Sequence, residues 1–307
     1  MATKKFHDFT PDKNFTKLLH DYSGNVVNGV GENQKRRPSM VWWAPDPASA
    51  PFGEAQKWFY SREQPDEEML ELRKARHEVV AQPTPEVADE KEFREPHEWT
   101  AELQQFITSG DCEMTGVTPL DPDWVFDHET STLPNIVMLG VQHDYDELKH
   151  VPAIKGGKDV TRQYLRAAAA AKKVAAWLRE QGYQADAVTG PMTGKILMIP
   201  PAIACGFGEL GKHGSIINQE FGSAFRLSAV LTDAPFASTP PREFGIDDFC
   251  SRCRVCENAC PPDAIAPEKQ LVRGVDKWYV DFDRCIPYFA ETSGLSLIHI
   301  SEPTRRS

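Results

Sequence analysis

The run LPNIVMLGVQ (133–142) is apolar at almost every position and rich in β-branched residues, which predicts a short strand covered on both faces. Downstream, VTRQYLRAAAAAKKVAAWLREQGYQA (160–185) is the clearest helix in the chain. Thr161 can cap it, alanines fill it, Lys and Arg lie towards its C-terminal half, and Gly182 ends it. Tyr164, Ala168, Ala171, Ala175 and Leu178 fall on one stripe, so Tyr164 is expected to face inward. KILMIPPAI (195–203) reads as a second strand and FRLSAVLTDAPF (225–236) as a third. Strand, helix and strand in alternation predict an α/β (α+β) core. Upstream, SREQPDEEMLELRKARHEVV (61–80) interleaves its charges as an exposed helix does, and PTPEVADEKEFREPHEW (83–99) reads as an acidic loop or strap.

Length and charge narrow the classes. The 307 residues allow one large domain or two ordinary ones, and a net charge of −11 argues against nucleic acid as a partner. No run of eighteen apolar residues occurs, so no membrane span is expected. MATKKFHDFT lacks the apolar stretch of a secretory signal. The twin arginines Arg36–Arg37 precede PSMVWWAPDP, too short and too proline-broken for an export segment. They read as two solvated loop arginines, and a cytoplasmic protein is expected.

The cysteines change the picture most. Seven are present, and five of them (Cys250, Cys253, Cys256, Cys260 and Cys285) crowd into the last fifth of the chain. Clustering in a large acidic protein points to metal rather than to a disulfide framework. Cys112 and Cys205 are read as small apolar residues. CSRCRVCENACPP (250–262) is C-x2-C-x2-C-x3-C-P, in which three thiolates wrap one [4Fe–4S] cube and the fourth, ahead of proline, reaches another cluster. A zinc knuckle has no use for the third cysteine. Cys285 in WYVDFDRC stands where a second motif would open, but no further cysteine follows IPYFAETSG. Residues 295–305, LSLIHISEPTR, match the translation of a transposase-based sequencing adapter, so the natural sequence is expected to break near Gly294. GFGELG has dinucleotide-fingerprint spacing but no strand leads into it, and a nicotinamide site is rejected.

These features together resemble the cobalamin-dependent reductive dehalogenases over roughly residues 130 to 294. The segments concerned are WLREQGYQA, IPPAIACGFGELGKHGSIINQEFGSAFRLSAVLTDAPF, FGIDDFCSRCRVCENACPPDAI and VDFDRCIPYFAETSG. The resemblance implies a nitroreductase-like core holding a base-off cobalamin at 101–240, then a two-[4Fe–4S] ferredoxin-like module at 241–294, incomplete here. Residues 1–100 keep an open role, and 295–307 would be adapter-derived. Electrons would pass through the clusters to cobalt, and Co(I) would cleave a carbon–halogen bond. The electron donor would be a ferredoxin, a flavodoxin or a fused reductase module, and the substrate a small organohalide. By position Tyr164 resembles the proton donor, Arg226 the arginine beside it, and Lys195 a third polar group. Gly206, Gly208, Gly211, His213, Gly214 and Ser215 would approach the cofactor, although the glycines suit a tight structural turn equally well. The absence of an export signal resembles the cytoplasmic, catabolic branch. Two alternatives stay open: epoxyqueuosine reductase, which resembles DFDRCIPYFAETSG equally well, and a plain iron–sulfur electron carrier.

Overall fold

The computed structural model describes residues 9–19, 23–42, 44, 46–61, 66–190 and 194–292. The supposed adapter-derived tail lies outside the described residues. Eight strands occur among them: β1 (Met114–Pro119), β2 (Asn135–Gln142), β3 (Ala185–Val188), β4 (Glu209–Leu210), β5 (Ile216–Ile217), β6 (Phe225–Thr232), β7 (Gln270–Val272) and β8 (Val275–Lys277). Four form one sheet in the order β1-β2-β6-β3; β4-β5 and β7-β8 are small ribbons. All pairings are antiparallel, so the mixed α and β core is of the α+β kind.

The continuous apolar run of β2 follows from cover on both sides of the sheet. Val137, Leu139 and Val141, with Val230 of β6, meet Ala167, Ala170, Ala171, Val174, Ala175 and Leu178 of the long helix Ile154–Glu180. Ile136 and Met138, with Ala229 and Leu231, pack against Ile196, Ala202, Phe207 and Ile216 on the other face. Alternate residues therefore serve opposite layers. A fully buried side chain such as Leu178 contributes roughly 1.5–3 kcal/mol to this packing.

The long helix starts at Ile154, two turns before the cap expected from sequence, and Thr161 lies inside it, donating its hydroxyl to the Gly157 carbonyl at 3.0 Å. Gly182 ends it as expected, at φ +85°, and a Cβ there would stand 2.3 Å from the Glu90 carbonyl oxygen. That close approach seats the acidic strap. Ala88 and Glu92 donate their amides to the Arg179 and Gln181 carbonyls at 2.9 and 3.0 Å. Residues 195–203 are no strand. Ile196 makes an isolated bridge to Val125, and Ile199–Ala204 is a short helix with two prolines in its first turn. Proline has no N–H for a ladder and a φ suited to a helix start.

The first hundred residues are built into the rest. Phe15, Trp42, Phe52, Ala55 and Phe59 pack with Ile286 and Ala290 of the C-terminal helix Phe282–Glu291. The helix Glu67–Ala81 lies along the long helix, where Lys158 bridges Asp66 and Glu68 at 2.8 and 2.9 Å. Arg36 and Arg37 are not the solvated pair expected from sequence. Arg36 binds Glu32 at 2.6 Å and the Val27 carbonyl at 2.7 Å. Arg37 donates to the carbonyls of Val125, Phe126 and Glu129 and so pins the connection between β1 and β2. Loop carbonyls with no ladder partner are what a five-donor guanidinium satisfies. Among the described residues no helix is long and apolar enough to cross a membrane.

Candidate active site

A cavity of about 310 Å³ opens at the start of β6, where side chains from both sheet faces reach the edge. Tyr164, Gly190, Ile196, Ser215, Phe225 and Arg226 are among its lining. That volume lies at the small end for ligand pockets and suits a small molecule rather than a whole corrin.

Tyr164 comes from the long helix and Arg226 from the second residue of β6. The Arg226 guanidinium carbon stands 4.9 Å from the Tyr164 ring centroid, and that of Arg76, on the Glu67–Ala81 helix, stands 5.9 Å from it. Gly190 separates Arg76 from the cavity: a Cβ at Gly190 would meet Arg76 Nη2 at 3.6 Å and Tyr164 Cδ1 at 3.8 Å. Among the described residues no carboxylate pairs with Arg76 or Arg226, and each keeps a buried Nε–H without a hydrogen-bond partner. The Tyr164 hydroxyl likewise has no protein partner among the described residues. Two uncompensated cations beside a phenol, in a chain of net charge −11, make a local site for negative charge.

Lys195 is not brought to this group. Its Nζ lies 3.6 Å from Asp186 Oδ2, both half-exposed, and it does not line the cavity. The loop glycines are accounted for by the protein itself. A Cβ on Gly206 would meet the Pro240 carbonyl at 2.6 Å, one on Gly208 the Ile217 carbonyl at 2.2 Å, one on Gly211 the Ile217 side chain at 2.7 Å, and one on Gly214 Val280 at 3.0 Å. His213 is buried, and burial pushes its imidazole down to about 4; its Nδ1 accepts the Ser215 N–H at 3.1 Å. Of this loop, Ser215 and Ile216 reach the cavity.

The same loop touches the cysteines. The Lys212 N–H points at Cys250 Sγ, 3.5 Å away. Its Nζ donates to the Cys253 carbonyl at 3.1 Å, pairs with Glu257 in a buried ion pair, and stands 4.9 Å over Trp278. Cys250 lies within the helix Ile246–Arg252 and Cys253 caps its C-terminus; Cys256 lies in the first turn of the helix Val255–Ala259 and Cys260 caps its C-terminus. Burial, then the neighbouring Cys250 and Cys253, pushes the Cys256 thiol up to about 11. Burial, then Cys260, pushes Cys285 up to about 12. Cys256 is thus influenced by Cys250 and Cys253, and Cys285 by Cys260, while Cys256 and Cys285 both pack against the cluster of Cys260, Ala264 and Ile265. Among the described residues no three His, Cys, Asp or Glu converge on a single metal ion. A cube carries its thiolates on separate irons, so its donors stand further apart than the shell of one ion. Buried thiols that raise one another's pKa fit a cationic cluster, which reverses that penalty. Cys112 and Cys205 are each raised to about 12, chiefly by burial, as inert core thiols are.

Sequence reasoning missed Arg76, Lys212, Glu257 and the buried pair His143 and Asp159. Asp159 carried a signal: it lies four residues before Gln163 and eight before Ala167, a charge on the buried stripe of the helix.

The fold is that of reductive dehalogenases of known structure. A catabolic member in complex with 3-bromo-4-hydroxybenzoic acid superposes with a TM-score of 0.73 at 18% identity, covering 94% of this chain and 46% of that one. Another, whose structure suggests a mechanism for B12-dependent dehalogenation, gives 0.65 at 19% identity over 72% of this chain and 34% of that one. In sequence the chain is a relative of the reductive dehalogenases: it is 32% identical over 202 residues to the tetrachloroethene reductive dehalogenase of Desulfitobacterium hafniense, covering 62% of this chain and 36% of that protein. The chain therefore spans little more than a third of the length of that relative. The epoxyqueuosine reductase of Leadbetterella byssophila is 35% identical over 83 residues, covering 27% of this chain and 23% of that protein. No protein-family model matches the chain.

Proposed function

We propose that the chain carries the cofactor and substrate core of a reductive dehalogenase, which converts R–X, two electrons and a proton to R–H and halide. The observation that carries this reading is the Tyr164 hydroxyl at a cavity wall with the Arg226 guanidinium 4.9 Å from its ring and no carboxylate to compensate it. Tyr164 is the hydroxyl at the cavity wall that can give a proton to the carbon that loses halogen. Arg226 then stabilises the phenolate left behind, and its charge also suits the departing halide. The apolar walls, Ile196 and Phe225 among them, exclude water from that transfer.

A reduced cobamide, when bound, would supply the electron pair for the carbon–halogen bond. Tyr164, Ser215 and Ile216 face the space such a group would border. In this reading the cofactor would be held base-off, and His213, whose Nδ1 accepts the Ser215 N–H, would serve its own loop. Cys250, Cys253 and Cys256 would hold one [4Fe–4S] cluster and Cys260 with Cys285 part of a second, fed by a ferredoxin, a flavodoxin or a fused reductase. The Lys212–Cys250 contact and Ser215 lie three residues apart on one loop, which keeps clusters and cavity close.

The test is halide release from haloaromatics and chloroethenes by the protein loaded with cobalamin and reduced chemically. Equimolar halide and hydrogenated product support the proposal. Reduction of the epoxide in tRNA with organohalides untouched would transfer the protein to the epoxyqueuosine class. Cluster absorbance with no cobalamin uptake would leave an electron carrier.

A further inference from the structure

Behind Arg226, on the side away from the cavity, lies a buried pair of groups that the chemistry above does not use. His143 follows β2, and its N–H donates to the Ala224 carbonyl at 2.9 Å. In the β2–β6 register Val141 faces Arg226, so His143 and Arg226 occupy diagonal positions on one sheet face, within reach of two long side chains. The His143 side chain is 1% exposed and that of Asp159, on the long helix, is 0% exposed. His143 Nδ1 and Asp159 Oδ2 are 2.5 Å apart. Asp159 Oδ1 takes Gln163 Nε2 at 2.8 Å and faces the Asp144 N–H at 3.4 Å and Arg162 Nη1 at 3.8 Å.

This arrangement fixes the imidazole. Burial pushes the Asp159 carboxyl up, but the hydrogen bonds from His143 and Gln163 outweigh it and hold the group below the ordinary range. An ionised carboxylate only accepts, so Nδ1 carries the hydrogen and Nε2 presents a lone pair. Nε2 is buried and has no protein partner among the described residues; the same is true of Arg226 Nε–H. One orphan is an acceptor, the other a donor, and both lie in the layer between β6 and the long helix. The cation paired with that buried carboxylate is Arg162, with Nη1 at 3.8 Å from Oδ1, which leaves Nε2 of the neutral imidazole to face Arg226.

We propose that His143, oriented by Asp159, is the positioning residue for Arg226: Nε2 accepts from Arg226 Nε–H through one buried water, and so sets the guanidinium beside Tyr164. The mechanistic part rests on the dehalogenase reading; the pairing itself does not.

The experiment has two arms. In the chain as it stands, without cofactor, the 15N spectrum of His143 should show the Nδ1–H tautomer with Nε2 bare; a hydrogen on Nε2 overturns the proposal with no variant needed. The second arm compares His143→Asn, which keeps a group for Asp159 but cannot reach Arg226, with His143→Gln, which restores an acceptor near Nε2. Tyr164 is followed by 13Cζ-tyrosine resonance, assigned by its loss in Tyr164→Phe. The groups facing that phenol are Arg226 from β6, Arg76 from the Glu67–Ala81 helix and Tyr60 from the Gly53–Ser61 helix. At fixed pH His143→Asn should move that resonance, as the guanidinium leaves its place over the ring, with His143→Gln close to wild type. In the loaded enzyme His143→Asn should lower kcat roughly tenfold or more with KM little changed, again with recovery in the Gln variant. If wild type dehalogenates while His143→Asn moves neither the phenol nor kcat, the pairing is wrong and the activity stands. If wild type does not dehalogenate but the tautomer and phenol shifts appear, the pairing stands and the activity reading falls.

Discussion

The cavity and the cysteine module stand on one loop, yet they are built on different principles. Tyr164 and Arg226 are fixed by a 27-residue helix and an eight-residue central strand. Their placement follows from sheet register and helical phase, so the charged wall of the cavity exists without any ligand. Cys250 to Cys260 ride on helices of seven and five residues, far below the length that stands alone in water. What holds them in the fold is the buried Lys212–Glu257 pair, with Trp278 beneath it. Side-chain chemistry on long elements is displayed by the fold; a site in which metal is part of the structure is displayed better by its spacing.

The sharpest way to break this contrast is Tyr164→Phe. Removing a positioned proton donor should lower dehalogenation by roughly 10²–10⁴-fold. Because the hydroxyl has no protein partner among the described residues, thermal unfolding and cobalamin uptake should hardly move. Full turnover by the variant would take Tyr164 out of the reaction.

Lys212→Met asks the same of the module. It leaves Glu257, which is 6% exposed, with only the largely exposed Arg254 at 2.9 Å, and should cost roughly 1–3 kcal/mol in urea unfolding. Adding Glu257→Leu should recover most of that loss. A single variant as stable as wild type would mean that the ion pair does not hold the module together.

A smaller effect separates the two buried histidines. His143 and His213 both lie at about 4, pushed down chiefly by burial, against an ordinary 6.5. Asp159 pulls His143 up and Arg226 pushes it further down. Between pH 6.5 and 4 the unfolded chain therefore takes up protons that the folded chain refuses. This contribution to stability is complete above pH 6.5 and declines as pH falls, on the order of 1.4 kcal/mol per unit for each histidine. Asp159, held low, acts in the same direction at still lower pH. His143→Gln should remove about half of the slope, read as the urea midpoint at pH 7, 6 and 5. An unchanged slope would show that His143 is already charged in the fold.

How much of this was legible depended on the kind of signal. Strand β2 announced itself because burial on both faces leaves a nearly unbroken apolar run, and β6 did so by its β-branched and apolar residues around Arg226. The Cys250–Cys260 spacing was legible because cluster geometry dictates it. KILMIPPAI misled because apolar content was weighed above its two prolines. Arg36–Arg37 misled because a pair of arginines looks alike whether it meets water or four backbone carbonyls. His143 and Arg76 could not be read from spacing: one meets Asp159 across sixteen residues and the other reaches Tyr164 from another helix. Such contacts belong to tertiary packing, on which a single sequence is silent.

The smallest expected effect falls on Lys195, and it sharpens the comparison by marking where the cavity ends. Position along the chain suggested a polar group for the reaction, but the backbone turns at Ile196 to bridge Val125 and sends the lysine towards Asp186. An ion pair at 3.6 Å between half-exposed side chains contributes no more than about 1 kcal/mol and pays for itself barely in side-chain entropy. Lys195→Met should therefore leave stability within that margin and kcat within about twofold of wild type, since no atom of the side chain lines the cavity. A loss of an order of magnitude in kcat, with binding unchanged, would mean that the lysine swings in when substrate and cofactor are bound. The uncompensated charge at the cavity would then number three cations instead of two, and Arg226 would share its role with a mobile partner.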